Sequence, residues 1–285
     1  MTSSPVPTSP YGGVARRSRT ILLGLVALTV VYLAVFLLMQ DSGDYLPPAD
    51  KYCTTGRPCS RPDLFAFQVS AGFGIFYCGM LGFHSWHVSR RAHTGIPSTP
   101  EGRLFGYLEE GEKMATALFT FQVWDFFITL FIPEHFGPIM LTHHAMAAIV
   151  SWFSLSHQVL HHYGIFFLGV TEVSSMFLVF VDMGRYFPPA AGSKFGLLIS
   201  ICGPMFLVTF FVYRIVIWWV VSYTLWKDVF HVIRTGSAER LRPGKSFVLK
   251  YIYLPFNVLL GLLQMYWFSY VILPGAIKTV RGEGL

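Results

Sequence analysis

Two adjacent histidines, His143 and His144, stand inside F-G-P-I-M-L-T-H-H-A-M-A-A-I-V-S-W-F-S-L-S, residues 136–156, a stretch otherwise apolar enough to enter a bilayer. An ionisable side chain at membrane depth costs about 2.5–3.5 kcal/mol on insertion scales, so it faces a polar cavity or a partner rather than lipid. Neighbouring helical residues point about 100° apart, so both rings share one interior only if that interior is wide. The plain alternative is a pair of interhelical hydrogen bonds without chemistry. Imidazole can serve as base or nucleophile near neutral pH, and a carboxylate beside it fixes its tautomer and stabilises its charged form. Asp125 and Glu172, in the flanking apolar segments, are the candidates for that role. Arg214, in a fourth segment, is expected to pair with one of these carboxylates or to grip a phosphate or carboxylate on a ligand. His143, His144, Asp125 and Glu172 are therefore the candidate catalytic residues, and Arg214, Gln122, Ser175 and Asn257 the candidate substrate-binding ones.

The elements that must position these residues are membrane helices. Of 285 residues, 53% are hydrophobic and only 13% charged, half the charge of a typical soluble protein. That composition implies an integral membrane protein and excludes an ordinary soluble enzyme. The net charge of +6 then speaks of topology and anionic lipid headgroups. No basic and aromatic stripe supports nucleic-acid binding.

The pattern predicts an all-α, polytopic protein with seven spans. Residues 1–19, rich in Ser, Pro and Gly, read as a disordered tail. Residues 20–39 carry no charge and form a first span rather than a signal peptide, since no small-residue cleavage site follows. Further spans are expected at about 64–83, 115–132, 136–156, 163–183, 195–223 and 251–273, with a kink at Pro204 and a C-terminal tail from 276. Gly72, Gly74, Gly79 and Gly82 allow close helix contact in the second span. Gly169 reads as a position from which a large side chain would fill the interior. Lys and Arg number 13 on the side of the N-terminal tail and 7 on the other, which places the N-terminus in the cytosol. The same topology puts Cys53 and Cys59, in one short loop, on the oxidising side, where a disulfide can form. Cys78 and Cys202 read as packing residues.

W-D-F-F (residues 124–127), L-T-H-H (141–144), T-E-V-S-S-M-F-L with the later Arg185, Y-R-I-V (213–216) and Q-M-Y-W-F (264–268) occur in an order similar to that of TLC-domain proteins. That family contains the ceramide synthases, the TRAM proteins and their relatives. The resemblance covers residues 64–275 and leaves the first span as an addition. It implies a six-helix barrel around a long polar and lipid cavity, with the histidine pair inside. It also implies acyl transfer, with His143 and His144 as nucleophile or general base, Asp125 as their orienter, and acyl-CoA as a co-substrate. No bound cofactor and no metal is expected. Where ceramide synthases carry H-D-x-x-D about 27–30 residues after the pair, this chain has V-T-E-V-S-S with Glu172 alone. That resembles the non-synthase branches, tied to lipid sensing, trafficking and membrane composition. The expected function is thus handling of long-chain acyl lipids, by acyltransferase-like chemistry or as a non-catalytic regulator or carrier. The expected partners are membrane lipids, with homo- or hetero-oligomers allowed, and the expected compartment is the endoplasmic reticulum.

A second enzyme class competes. His157-x-x-x-His161-His162 and His84-x-x-His87 have the spacing of histidine boxes in membrane di-iron hydroxylases and desaturases. The third box that such a site needs is missing, and the alternative for these histidines is a polar interfacial loop.

Overall fold

The computed structural model describes residues 13–41, 46–53 and 59–281, and among these there are helices and turns but no strands. Helix α1 (Gly13–Leu38) begins inside the stretch expected to be a tail, so the arginines before the first span extend it; residues 1–12 lie outside the described residues. Helix α2 (Pro62–Phe83) starts on Pro62, whose missing N–H is no loss in a first turn, and it runs on through a wide turn to Val88. Two short helices follow, α3 (Arg91–Thr94) and α4 (Pro100–Phe105), the second capped by Thr99, whose hydroxyl accepts from Gly102 N at 3.1 Å. Then come α5 (Glu109–Thr129) and α6 (Pro138–His157), the latter again opening on proline.

The turn after α6 is tight. Gln158 and Leu160 both adopt left-handed backbone conformations, and Leu160 N is tied to Leu104 O of α4 at 2.7 Å. The chain then enters α7 (His161–Ile165), passes through one wide turn, Phe166–Val170, and continues as α8 (Glu172–Tyr186). Ser193 caps α9 (Lys194–Thr209) by accepting from Gly196 N at 3.1 Å. Helix α9 runs through Pro204 and a wide segment, Phe210–Ile217, into α10 (Trp218–Arg234). That continuous helix of 41 residues reaches well past the expected end at residue 223. Short helices α11 (Ser237–Leu241) and α12 (Lys245–Val248) lead into α13 (Leu254–Trp267) and α14 (Leu273–Val280), so the stretch from 276, expected as a tail, is helical as far as Val280.

Among the described residues, six helical stretches are long and apolar enough to cross a membrane: 17–38, 62–88, 138–157, 161–186, 194–234 and 245–278. The remaining expected span, at about 115–132, is α5, which has the length but carries Glu112, Lys113 and Asp125 in its last eighteen residues. It is nonetheless the centre of the bundle, packed against α1, α2, α6 and α7. The protein is an all-α, multi-pass membrane protein. Large apolar side chains such as Leu33, Phe73, Ile201 and Val208 cover its outside, as a lipid-facing surface requires.

Small residues set the closest approach. A Cβ on Gly82 would stand 2.4 Å from the Gly169 carbonyl carbon, and one on Gly169 would stand 2.8 Å from Gly82 Cα. The two backbones touch there, which only glycine permits. Gly169 therefore belongs to the contact between α2 and the turn after α7, not to the cavity wall, and a bulky residue there would force these helices away from each other. In the loop before α2, Cys53 and Cys59 are disulfide-bonded, with Cα atoms 5.8 Å apart. Residues 54–58 between them lie outside the described residues.

Candidate functional site

A cavity of about 60 Å³ lies among α5, α6, α7–α8, α9–α10 and α13. Its wall is apolar over Leu118, Ala147, Val150, Leu168 and Leu260 and polar at Gln122, His143, Glu172, Arg214, Asn257 and Gln264. Five long helices thus contribute to one narrow polar interior, with room for a few waters or a slim group.

The two histidines divide rather than share this space. His143 lines the cavity, half-buried, its ring 5.1 Å from that of Trp267. Its Nδ1 is buried and has no hydrogen-bond partner among the described residues. His144, one residue on, turns into α5 and is buried. Its Nδ1 lies 2.8 Å from Gln122 Oε1 and 3.4 Å from Asp125 Oδ2, while Asp125 Oδ1 accepts from Thr129 Oγ1 at 3.2 Å. Gln122, Asp125 and Thr129 recur at three and four residues along α5, which puts them on one face. The expectation that both rings look into one wide interior is corrected here: the interior is narrow, and only His143 faces it.

The other polar pair is Arg214 and Glu172. Arg214 sits in the wide segment Phe210–Ile217 and Glu172 directly after the wide turn Phe166–Val170, two places where the helix is loosened. Arg214 Nη2 donates to Glu172 Oε1 at 3.1 Å and to Ser175 Oγ at 2.9 Å, and Nε donates to Thr171 O and Ser174 Oγ, each at 2.9 Å. Of the two carboxylates open to Arg214 from sequence, it holds Glu172, and Asp125 is left to His144. Neither carboxylate makes a hydrogen bond to His143.

Among the candidate binding residues, Gln122 lines the cavity but spends its carbonyl on His144, and Ser175 supports Arg214 without lining the cavity. Asn257 lines it and accepts from Trp226 Nε1 at 3.0 Å. Trp218, Tyr163 and Tyr253 complete the wall, and sequence reasoning missed them because an aromatic residue in an apolar run looks like packing. Gln264 carried a signal, as an amide in an otherwise apolar span, and its Oε1 is buried without a partner, like Trp218 Nε1.

The histidine boxes do not assemble. His161 Nδ1 accepts from Leu108 N at 3.1 Å, His162 Nδ1 donates to Ala92 O at 2.7 Å, and His157 Nδ1 accepts from Lys245 Nζ at 2.6 Å. Among the described residues no three His, Cys, Asp or Glu side chains are grouped so as to hold a metal ion. His161 and His162 are buried at the start of α7, which corrects their reading as a polar interfacial loop.

A family model described as the TLC domain matches residues 66–273, well over half of the chain. The match begins within α2 and ends at the start of α14, so it holds every residue of the cavity wall and leaves α1 outside. No curated protein matches the chain.

Proposed function

Because the chain belongs to the TLC-domain family, and is in that broad sense a membrane lipid-related protein, we propose that it takes the carbonyl end of a long-chain acyl lipid into the narrow cavity and presents the acyl carbonyl to His143. The carrying observation is that three polar atoms on cavity-lining residues, His143 Nδ1, Trp218 Nε1 and Gln264 Oε1, are buried without a hydrogen-bond partner among the described residues. Buried polar atoms are normally hydrogen-bonded, and these three offer an imidazole nitrogen, a donor and an acceptor to one guest. A lipid's ester, amide or thioester with its neighbouring hydroxyl or amine suits such a set.

In the acyltransferase-like reading, His143 is the general base or nucleophile. The His144–Asp125–Gln122 group holds α6 in register, and Arg214, itself held by Glu172, leaves Nη1 for a polar part of the substrate. Acyl-CoA is the natural acyl donor for such a reaction. The compartment that suits it is the endoplasmic reticulum, with the N-terminus in the cytosol as the charge bias suggests.

A second reading, as a non-catalytic regulator or carrier of membrane lipids, draws support from a specific feature: among the described residues no carboxylate makes a hydrogen bond to His143, so the imidazole at the cavity lacks the orienting partner that a base usually has. One experiment separates the two. Cells lacking the protein are rescued with wild type, with His143→Ala and with Ala147→Trp, which fills the cavity, at matched protein levels, and their lipids are profiled. Loss of rescue by both variants supports the enzyme. Rescue by His143→Ala but not by Ala147→Trp supports the carrier. Rescue by both would remove the cavity from the account.

A further inference from the structure

A second cavity, of about 380 Å³, opens beside α10 and is separate in character from the first. Its ring-bearing wall comes from Trp86, His93, His162 and Tyr163, with Trp86 4.4 Å from His93 and 5.3 Å from His162 between ring centroids. Its one formal cation is Arg103, which donates from Nε and Nη2 to the two oxygens of Asp228, each at 2.7 Å, and from Nη1 to Ser98 O at 2.7 Å. A guanidinium has five N–H groups, so donors remain on Nη1 and Nη2. The pair as a whole is neutral, and Tyr163 OH closes it by donating to Asp228.

The depth of this cavity is set by the helices. Arg214 meets Glu172, which is near the middle of the span 161–186. Thr224, on the wall of the second cavity, is ten residues further along the same continuous helix, about 15 Å at the usual helical rise. That distance is about half the thickness of a bilayer's hydrocarbon core, so the cavity lies at headgroup level. Its mouth includes Val220, which is 62% exposed on the lipid-facing side of α10.

We propose that this cavity binds the headgroup of a zwitterionic phospholipid of the phosphocholine class, arriving laterally from the bilayer. The quaternary ammonium rests on the ring of Trp86 and its imidazole neighbours, the phosphate accepts from the free N–H groups of Arg103, and the acyl chains leave past Val220. Cation–π contact with tryptophan is the strongest of its kind and is the usual means of holding choline. His93 does not favour a competing positive charge: desolvation, then the charge of Arg90, lowers its pKa below the ordinary imidazole value. The neutral Arg103–Asp228 pair favours a headgroup with no net charge over an anionic one, which would gain no net attraction. Tyr163 also lines the first cavity, so the two share one side chain in their walls.

The test is binding of water-soluble dihexanoyl phosphatidylcholine, dihexanoyl phosphatidylethanolamine and dihexanoyl phosphatidylserine to the purified full chain in maltoside micelles, by calorimetry. The phosphatidylcholine is expected to bind at least about tenfold more tightly than the serine lipid and more tightly than the ethanolamine lipid. Trp86→Leu is expected to weaken it about tenfold, the scale of a desolvated cation–π contact. Trp86→Phe should retain some of the affinity. Trp86 also packs on Phe166, so Val220→Trp, at an exposed helical position, serves as an independent block of the mouth and should abolish binding with an unchanged melting temperature. Equal affinity for all three lipids, no binding by the wild type, or wild-type affinity in Val220→Trp would each overturn the proposal.

Discussion

The Nδ1 of His144 lies 3.4 Å from Oδ2 of Asp125, with the Gln122 carbonyl oxygen nearer still on the same side. Both neighbours offer oxygen, so the Nδ1 carries the hydrogen and the lone pair of the ring is on Nε2. His144 is thereby a fixed strut between α6 and α5, while His143 is the unpaired ring at the cavity. The two should respond differently to truncation. Asp125→Ala and His144→Ala, each leaving a buried polar partner unmet, are expected to lower unfolding free energy by about 1–3 kcal/mol. His143→Ala, which removes a ring whose Nδ1 has no partner, should cost less than about 1 kcal/mol yet lower any acyl-transfer rate at least about 100-fold. Denaturation in micelles and a product assay on the same preparations check this; a His143→Ala protein as destabilised as the other two would refute it.

The buried Glu172–Arg214 pair predicts a characteristic non-additivity. Removing one charge leaves the other uncompensated in a low-dielectric interior, at a cost of about 3–5 kcal/mol. Glu172→Gln and Arg214→Met should each be strongly destabilised, and the Glu172→Gln/Arg214→Met double variant should recover much of the loss. Unfolding of all three against wild type gives the coupling, and simple additivity would show that the pair is not a unit.

The connection between α5 and α6 carries a pH dependence. Burial, then the charge of Arg185, lowers the pKa of His135 to about 4, and its ring packs on Phe67 and meets Tyr186 OH at 3.1 Å. An unfolded histidine titrates near 6.5. Below that value the unfolded chain takes up a proton that the folded chain refuses, so this stabilisation is complete above about pH 6.5 and is lost as the pH falls towards 4. The loss should be on the order of 1–3 kcal/mol for a partly screened group. Glu134 adds to it at lower pH: its hydrogen bond with Arg61 holds its carboxyl below the ordinary range, so its contribution fades only as the pH falls below about 4. Melting temperature measured from pH 7.5 to 4.5 should fall in the wild type and fall less in His135→Gln. Equal slopes would contradict the assignment.

The Cys53–Cys59 bond predicts both stability and sidedness. Closing so short a loop is worth about 2 kcal/mol on the chain-entropy model, so reduction should lower the melting temperature modestly. In sealed vesicles of known orientation, an impermeant maleimide should label the pair only after reduction and only from the face opposite the cytosol. Labelling from the cytosolic face would reverse the topology inferred from charge.

Much of the fold was legible because membrane spans are written in composition: long uncharged runs, and glycines where helices cross. The ends were less legible. Nothing in the basic run at residues 16–19 or in Lys227 and Arg234 distinguishes a charged helical extension from a loop, since hydropathy reports the bilayer and not the helix. The histidine pair, Asp125, Glu172 and Arg214 stood out because ionisable groups are rare at that depth, yet their pairing was open. Which carboxylate meets Arg214 depends on helix rotation, here altered by the wide turns after Ile165 and Thr209, which leave no mark in sequence. Gly169 misled for a related reason: glycine lines cavities and helix crossings alike, and only the position of Gly82 decides between them.

The central claim is that the carbonyl end of an acyl lipid enters the cavity at His143. A long-chain acyl lipid bearing a diazirine near its carbonyl, photolysed with the protein in lipid nanodiscs and mapped by peptide mass spectrometry, tests it most directly. Adducts on α6 and α13, around His143, Ala147 and Leu260, that vanish in Ala147→Trp are the predicted result. Adducts confined to outward-facing residues such as Phe73 and Val208, and unchanged in that variant, would contradict it.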